Sequence, residues 1–213
     1  MKPNPYSDVI AFLAKPGWPY HAFWVLLILS VLAAAYAFVT IPEQRRFKPA
    51  ADWLIRVAIG AMWWQQTLWK LPPFYTDHPD KPFGVTGLSY WMTVMGKSAA
   101  IPAQADFVNH IVLPNFYLLA PIVYSLEVLT AVSLTLGLFV RFWGVIGALQ
   151  ILNLWLGLYN APGEWPWTYF FLFVIQLIFA IHRYGRSLGF DAIIADRTRA
   201  PRGLARLFLA ATT

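Results

Sequence analysis

The sequence predicts an all-α polytopic membrane protein, and three observations lead there. Charged residues make up 12% of the 213-residue chain, about half the ~25% of a soluble domain, so water cannot be the main solvent of its surface. Apolar residues make up 59%, and they gather into five stretches near the ~20 residues needed to cross a ~30 Å hydrocarbon core. Aromatic residues reach 17%, with 11 Trp, and Trp and Tyr collect where hydrocarbon meets headgroups. The chain has no cysteine, which excludes disulfides, Fe–S clusters, thiolate metal sites and a catalytic thiol.

The expected spans are His21–Ile41, Asp52–Leu71, Asn115–Phe139, Phe142–Asn160 and Trp167–His182. The first is free of charge. Its Ala35-Tyr36-Ala37 has the small-x-small form of a signal-peptidase site, but the stretch is read as a retained span. The second contains Arg56, the third Glu127, the fourth Gln150 and Asn153, and the fifth Gln176. Ten Lys and Arg fall on the side of the Glu43–Pro49 loop, the turn near residue 141 and the C-terminus. Five lysines (Lys2, Lys15, Lys70, Lys81 and Lys97) fall on the other side. The net charge of +6 is therefore read as membrane orientation rather than nucleic-acid binding. The positive-inside rule predicts a cytoplasmic C-terminus, an external N-terminus and location in a bacterial inner membrane.

Between the second and third spans, residues 72–114 form an outer loop too long for a plain connector. Within it, Phe83–Met95 (FGVTGLSYWMTVM) is too short to span and too apolar to be free, which predicts an interfacial or re-entrant helix over the outer mouth. The tail Ala192–Leu209 mixes Arg with apolar residues and reads either as a basic surface helix or as a solvated terminus. Gly144, Gly147 and Ala148 are expected to let the fourth span approach a neighbour closely. The expected units are residues 1–48, with the first span; 49–194, a four-helix bundle with its outer loop; and 195–213, a basic tail.

Arg56 and Glu127 are the charges placed well inside spans, where each costs at least ~2.5–3.5 kcal/mol without a partner. Counted from the same membrane edge, Arg56 lies at about 9 Å and Glu127 at about 18 Å, so a direct or water-bridged pair is expected. Gln150, Asn153 and Gln176 fall at about 9–15 Å and join that cluster. The cluster can be catalytic, or it can be a buried ion pair that fixes helix register. At the opposite end of the second span, Trp63, Trp64, Gln65, Gln66, Trp69 and Lys70 place flat rings beside amide donors. Such a set suits a quinone head, with Trp64, Gln65, Gln66, Trp69, Lys70, Gln150 and Asn153 as candidate contacts. The alternative is an aromatic belt with a snorkelling lysine. No metal or haem is expected. His21 and His110 are too shallow for axial ligands, and His78 with Asp77 and Asp80 reads as a solvated turn.

The segment Trp53-Leu54-Ile55-Arg56-Val57-Ala58-Ile59-Gly60 followed by Trp69-Lys70-Leu71 resembles the opening helix of the DoxX/DoxD family of small bacterial membrane proteins. Glu127 in YSLEVLTAVSLTLGLFVRF, with Gly137 and Arg141, is similar to that family's glutamate helix ending in Gly-Leu-x-x-Arg. Tyr184-Gly185-Arg186-Ser187-Leu188-Gly189-Phe190-Asp191 resembles its closing GRSLGLD-like segment. The resemblance covers about residues 52–194. It implies a four-helix bundle for spans two to five, with the first span as an addition, and an association with redox chemistry. A DoxD protein is the quinone-facing membrane subunit of a thiosulfate:quinone oxidoreductase. A second domain able to take electrons from thiosulfate is not expected from the sequence.

Two functional expectations follow. One is a membrane subunit of a quinone-linked redox complex, embedded in the lipid bilayer beside protein partners. There Glu127 and Arg56 would act at the catalytic centre, and Gln65 or Gln66 would hold a quinone carbonyl. The other is a non-catalytic accessory subunit docked on a larger respiratory or photosynthetic assembly. Five spans without an internal repeat do not resemble an inverted-repeat carrier.

Overall fold

The computed structural model describes residues 4–198 together with 209, 212 and 213. Among them the regular structure is wholly helical. Helix α1 runs Pro5–Ala14, α2 Trp18–Thr40, α3 Phe47–Thr67, α4 Gly87–Ser98, α5 Pro102–Phe107, α6 Phe116–Leu136, α7 Val140–Gly157, α8 Pro166–Ile181 and α9 Phe190–Arg197. We call the end that holds residues 72–114 the top, and the end that holds the α6–α7 turn the base.

Among the described residues, three helices are long and apolar enough to cross a membrane: α2, α6 and α7. The five expected spans all form helices, but two fall short of that standard for identifiable reasons. Helix α3 has 21 residues, yet Lys48, Asp52, Arg56, Gln65 and Gln66 lower its hydropathy. Helix α8 is apolar apart from Thr168 and Gln176 but has 16 residues, about 24 Å of helix. Val25, Leu32 and Val39 of α2 are exposed, while its small residues Ser30, Ala33 and Ala37 are buried. Lipid is the solvent that such an apolar outer face requires.

Helix α3 turns its polar side inward. Asp52, Arg56, Gly60, Trp63, Trp64 and Thr67 are buried, and their spacing of three to four residues traces one helical face. That face lies on α6, where a Cβ on Gly60 would sit 2.6 Å from the Thr135 hydroxyl and 2.8 Å from its backbone nitrogen. Helices α7 and α8 make the second close pair, and here the expected role of the small residues is borne out. A Cβ on Gly144 would meet the Ala180 backbone nitrogen at 2.6 Å, and one on Gly147 would meet Gln176 Oε1 at 2.6 Å. Ala148 is buried.

The top segment is a packed cap. Helix α4 begins at Gly87, four residues later than the apolar stretch suggests. Its Leu88 and Met92 pack on Tyr75, Val112, Phe116 and Ala120, and Met95 packs on Val108, Leu158 and Ala161. Backbone bonds from Ala100 to the Leu156 carbonyl (2.7 Å) and from Asn160 to the Ser98 carbonyl (3.0 Å) fasten it to the end of α7. At the other terminus, α9 covers only the first part of the expected tail helix, and residues 199–208 lie outside the described residues.

Gly144→Ala tests the α7–α8 packing. The methyl group has backbone against it, so the strain outweighs the gain in helix propensity by about 1–2 kcal/mol, and thermal unfolding in detergent should show a lowered midpoint.

Candidate functional site

The buried charges form two separate centres, and Arg56 and Glu127 do not meet. At the base, Arg56 is fully buried and its guanidinium donates to the Leu134 carbonyl, to the Thr135 carbonyl at 3.1 Å and to the Ser187 carbonyl at 3.5 Å. The first two belong to the last turn of α6, whose carbonyls have no donor within the helix. A cation is also favoured there by the helix dipole. Leu134 lies seven residues beyond Glu127, about 10.5 Å along the helix axis. The expected Arg56–Glu127 pair is therefore replaced by an arginine cap on α6.

Sequence features around this cap exist to make room for it. Gly137 ends α6 with φ 71°, a left-handed conformation that glycine adopts without penalty. A Cβ there would also lie 2.6 Å from the Arg56 guanidinium carbon. Asp191 then accepts from the backbone N–H groups of Phe139 at 2.8 Å and Val140 at 3.2 Å, which caps the start of α7. A cation thus closes the end of α6 and an anion the beginning of α7, each matching its dipole. Ser187 donates to Asp52 Oδ2 at 2.8 Å, and Lys48 pairs with the same oxygen at 2.7 Å. Burial pushes the Asp191 carboxyl up to about 6, and the Phe139 and Val140 N–H groups and the charges of Arg56 and Arg186 offset that only in part.

The second centre is the pair Lys70–Glu127. Helix α3 ends at Thr67, and the following turn sends Lys70 back into the bundle, leaving it 4% exposed beside Glu127 at 6%. Lys70 Nζ donates to Glu127 Oε1 at 2.6 Å and lies 2.5 Å from Oε2. The Oε2 contact has no hydrogen-bonding geometry. The ammonium also stands over the Trp69 ring, 4.4 Å from its centroid, as a cation over an aromatic face does. Tyr124, one turn before Glu127, packs edge-on against Tyr75. The reading of Lys70 as a snorkelling surface lysine is thereby corrected.

The remaining candidates separate. Trp64 is buried against Phe23, and its indole N–H donates to the Pro19 carbonyl at 3.1 Å. Gln65 and Gln66 are exposed. With Trp69, Tyr20, Lys15 and Asp8 they line an open groove of about 490 Å³ between α1 and the end of α3. Trp69 donates to Gln66 Oε1 at 3.3 Å. Gln150 donates to Thr130 Oγ1 at 3.3 Å. Asn153 is exposed and accepts from Gln104 of α5 at 2.7 Å, so it belongs to the cap and not to the interior cluster expected for it. The partners that the sequence reading missed are Lys70 for Glu127, and the α6 carbonyls, Ser187 and Asp191 around Arg56. The signal for the latter was the unsatisfied end of α6 itself.

No protein-family model, curated protein or solved structure matches the chain.

Two predictions follow from the base. Arg56→Lys loses the planar fork that serves several carbonyls at once, and the unfolding free energy in detergent should fall by about 3 kcal/mol. Asp191 has a folded value raised from 3.8 to about 6. Its contribution is therefore full below pH ~4 and lost as pH rises through ~6, by about 3 kcal/mol. Melting curves across that window should show this decline, and Asp191→Asn should flatten it.

Proposed function

We propose that this chain is a five-span membrane subunit of a quinone-linked redox complex, with Lys70–Glu127 as its proton-exchanging centre. In this reading α2, α3, α6, α7 and α8 are the spans. Helices α3, α6, α7 and α8 are the DoxX-like four-helix bundle and α2 is the addition. The base faces the cytoplasm of a bacterial inner membrane. The inward turn of Lys70 supports that orientation, because it removes a lysine from the sparsely charged top.

The observation that carries the reading is a chain of contacts. Gln65 and Gln66 line the groove, the Trp69 ring lines it too, and that same ring lies against Lys70, which holds Glu127. A groove of about 490 Å³ lies within the ~300–1,000 Å³ range of small-molecule sites. A quinone head there stacks on Trp69 while Gln65 or Gln66 donates to a carbonyl. Glu127, one side-chain layer further in, accepts or returns the proton. Electrons pass to or from a partner subunit. An intramembrane carboxylate with a single charged partner is a functional site by default.

The second reading, a non-catalytic accessory subunit, draws on a different observation. Tyr6, Val9 and Ile10 of α1 are exposed outside any span, an apolar face suited to a protein neighbour. Quinone titration separates the two. With the purified chain in nanodiscs, a short-chain quinone should quench tryptophan emission, and Trp69→Phe should remove most of the quench. Gln66→Leu should weaken binding about tenfold, the loss of one hydrogen bond. An unquenched spectrum, with no quinone in the lipid extract, leaves the accessory reading in its place.

A further inference from the structure

Among the described residues, four buried side-chain oxygens of the bundle have no hydrogen-bond partner: Thr135 Oγ1 at the base, Gln150 Oε1, Gln176 Oε1, and Glu127 Oε2, which has only its ionic contact with Lys70. Glu127, Gln150 and Gln176 are connected through their neighbours. Thr130 lies one turn beyond Glu127 on α6 and is fully buried. Gln150 of α7 donates to the Thr130 hydroxyl. Gly147, one turn before Gln150, is the residue against which Gln176 of α8 lies, and Gln176 is 2% exposed. Glu127, Thr130, Gln150 and Gln176 thus form one polar track across α6, α7 and α8.

Rotating the Gln150 amide does not relieve its orphan. The Thr130 hydroxyl gives its proton to the Leu126 carbonyl at 2.7 Å, so its lone pair can only accept, and only the Gln150 NH₂ can face it. An acceptor buried without a donor is costly; Glu127 Oε2 has the Lys70 ammonium beside it, so the two glutamine oxygens along the track are the ones that need donors from outside the protein. A metal cation would need anionic oxygen ligands, but the two glutamine amides are neutral and the one carboxylate is already paired with Lys70. The donor is therefore neutral, small and able to bond two acceptors at once. Water has these properties, and buried water occurs where several polar groups converge.

We propose that Glu127, Thr130, Gln150 and Gln176 line a hydrated proton path that connects the Lys70–Glu127 pair with the base end of α8, an inference that rests on Glu127 being the proton-exchanging group. Gln176 lies five residues, about 8 Å, from the base end of its helix. A hydronium arriving there passes its proton along the water line to Glu127. The carboxylate becomes a neutral carboxyl, one water remains, and Lys70 keeps its charge; release is the reverse. The titratable groups around Glu127 are Lys70 and Tyr124, with Tyr75 behind the latter.

The test uses the full chain, uniformly labelled with ¹³C and ¹⁵N, in lipid bilayers and without quinone or partner. In water-edited solid-state NMR, magnetisation from water should reach the Glu127 and Gln176 side-chain carbons about as fast as those of exposed Gln65 and Gln66. The Glu127 carboxyl shift should follow the pH of the bulk. Gln176→Leu should slow transfer to Glu127 by about tenfold, the factor that one lost hydrogen bond sets for a buried water. Gln150→Leu gives an independent reading should the first variant not fold. Build-up at Glu127 and Gln176 as slow as at buried Leu134, or a Glu127 shift fixed as the bulk pH changes, overturns the proposal. Because no quinone is present, that failure would leave the groove untouched, whereas failed quenching would leave the track standing.

Discussion

A charge that leaves water for the interior of an apolar helix bundle has to find an opposite charge or a set of dipoles waiting for it. The closure of Arg56 on the end of α6 meets that demand, and much of the base is arranged around it. A helix end is the one place in a bundle where backbone carbonyls lack donors, so an arginine aimed there satisfies two deficits at once. Gly137 leaves the space, Ser187 supplies a third carbonyl, and Asp191 of α9, which caps the start of α7, balances the charge. The turn between α6 and α7 is thereby tied to α3 and to the segment before α9. Its parts come from residues 52–56, 134–140 and 185–191, far apart in sequence and joined only by folding.

The same rule, applied at the other centre, has a different consequence. Lys70 and Glu127 satisfy each other, but Glu127 sits midway along α6, where the carbonyls of that helix already have their donors. The pair's remaining valence is directed to side chains, with the Trp69 ring on one side and the Thr130–Gln150–Gln176 track on the other. At the base the Arg56 guanidinium is held by backbone carbonyls, with its Nε and the Thr135 hydroxyl left without a partner; in the middle Lys70 is held by a side-chain carboxylate. That contrast separates the two charges that the sequence presents as equivalent.

The cap at the top gives the middle its surroundings. Helix α4 lies on the start of α6 and the end of α7 rather than in solvent, so Met92 with Phe116, and Met95 with Val108 and Leu158, form two small apolar clusters above the bundle. The groove between α1 and α3 remains open beside it. A ligand of the groove and a proton from the base would thus approach Glu127 from different directions.

The sequence by itself determined the solvent and the class of fold, because charge scarcity and apolar run lengths are properties of composition and of local order. It also marked the close α7–α8 contact through Gly144 and Gly147, and it singled out Arg56 and Glu127 as residues that must be satisfied. It did not determine their partners. Depth along a helix is read from residue number, but the direction in which a long side chain leaves the helix is not, and Arg56 and Glu127 lie close in depth while reaching opposite ways. Lys70 looked like a surface residue because it follows the end of α3, and only the turn after Thr67 brings it inward. The Gln65–Gln66 pair and Gln150 were grouped by residue type, and packing set them in different compartments. Partner choice depends on which groups arrive within about 3 Å of each other, and that distance exists only once the helices have packed.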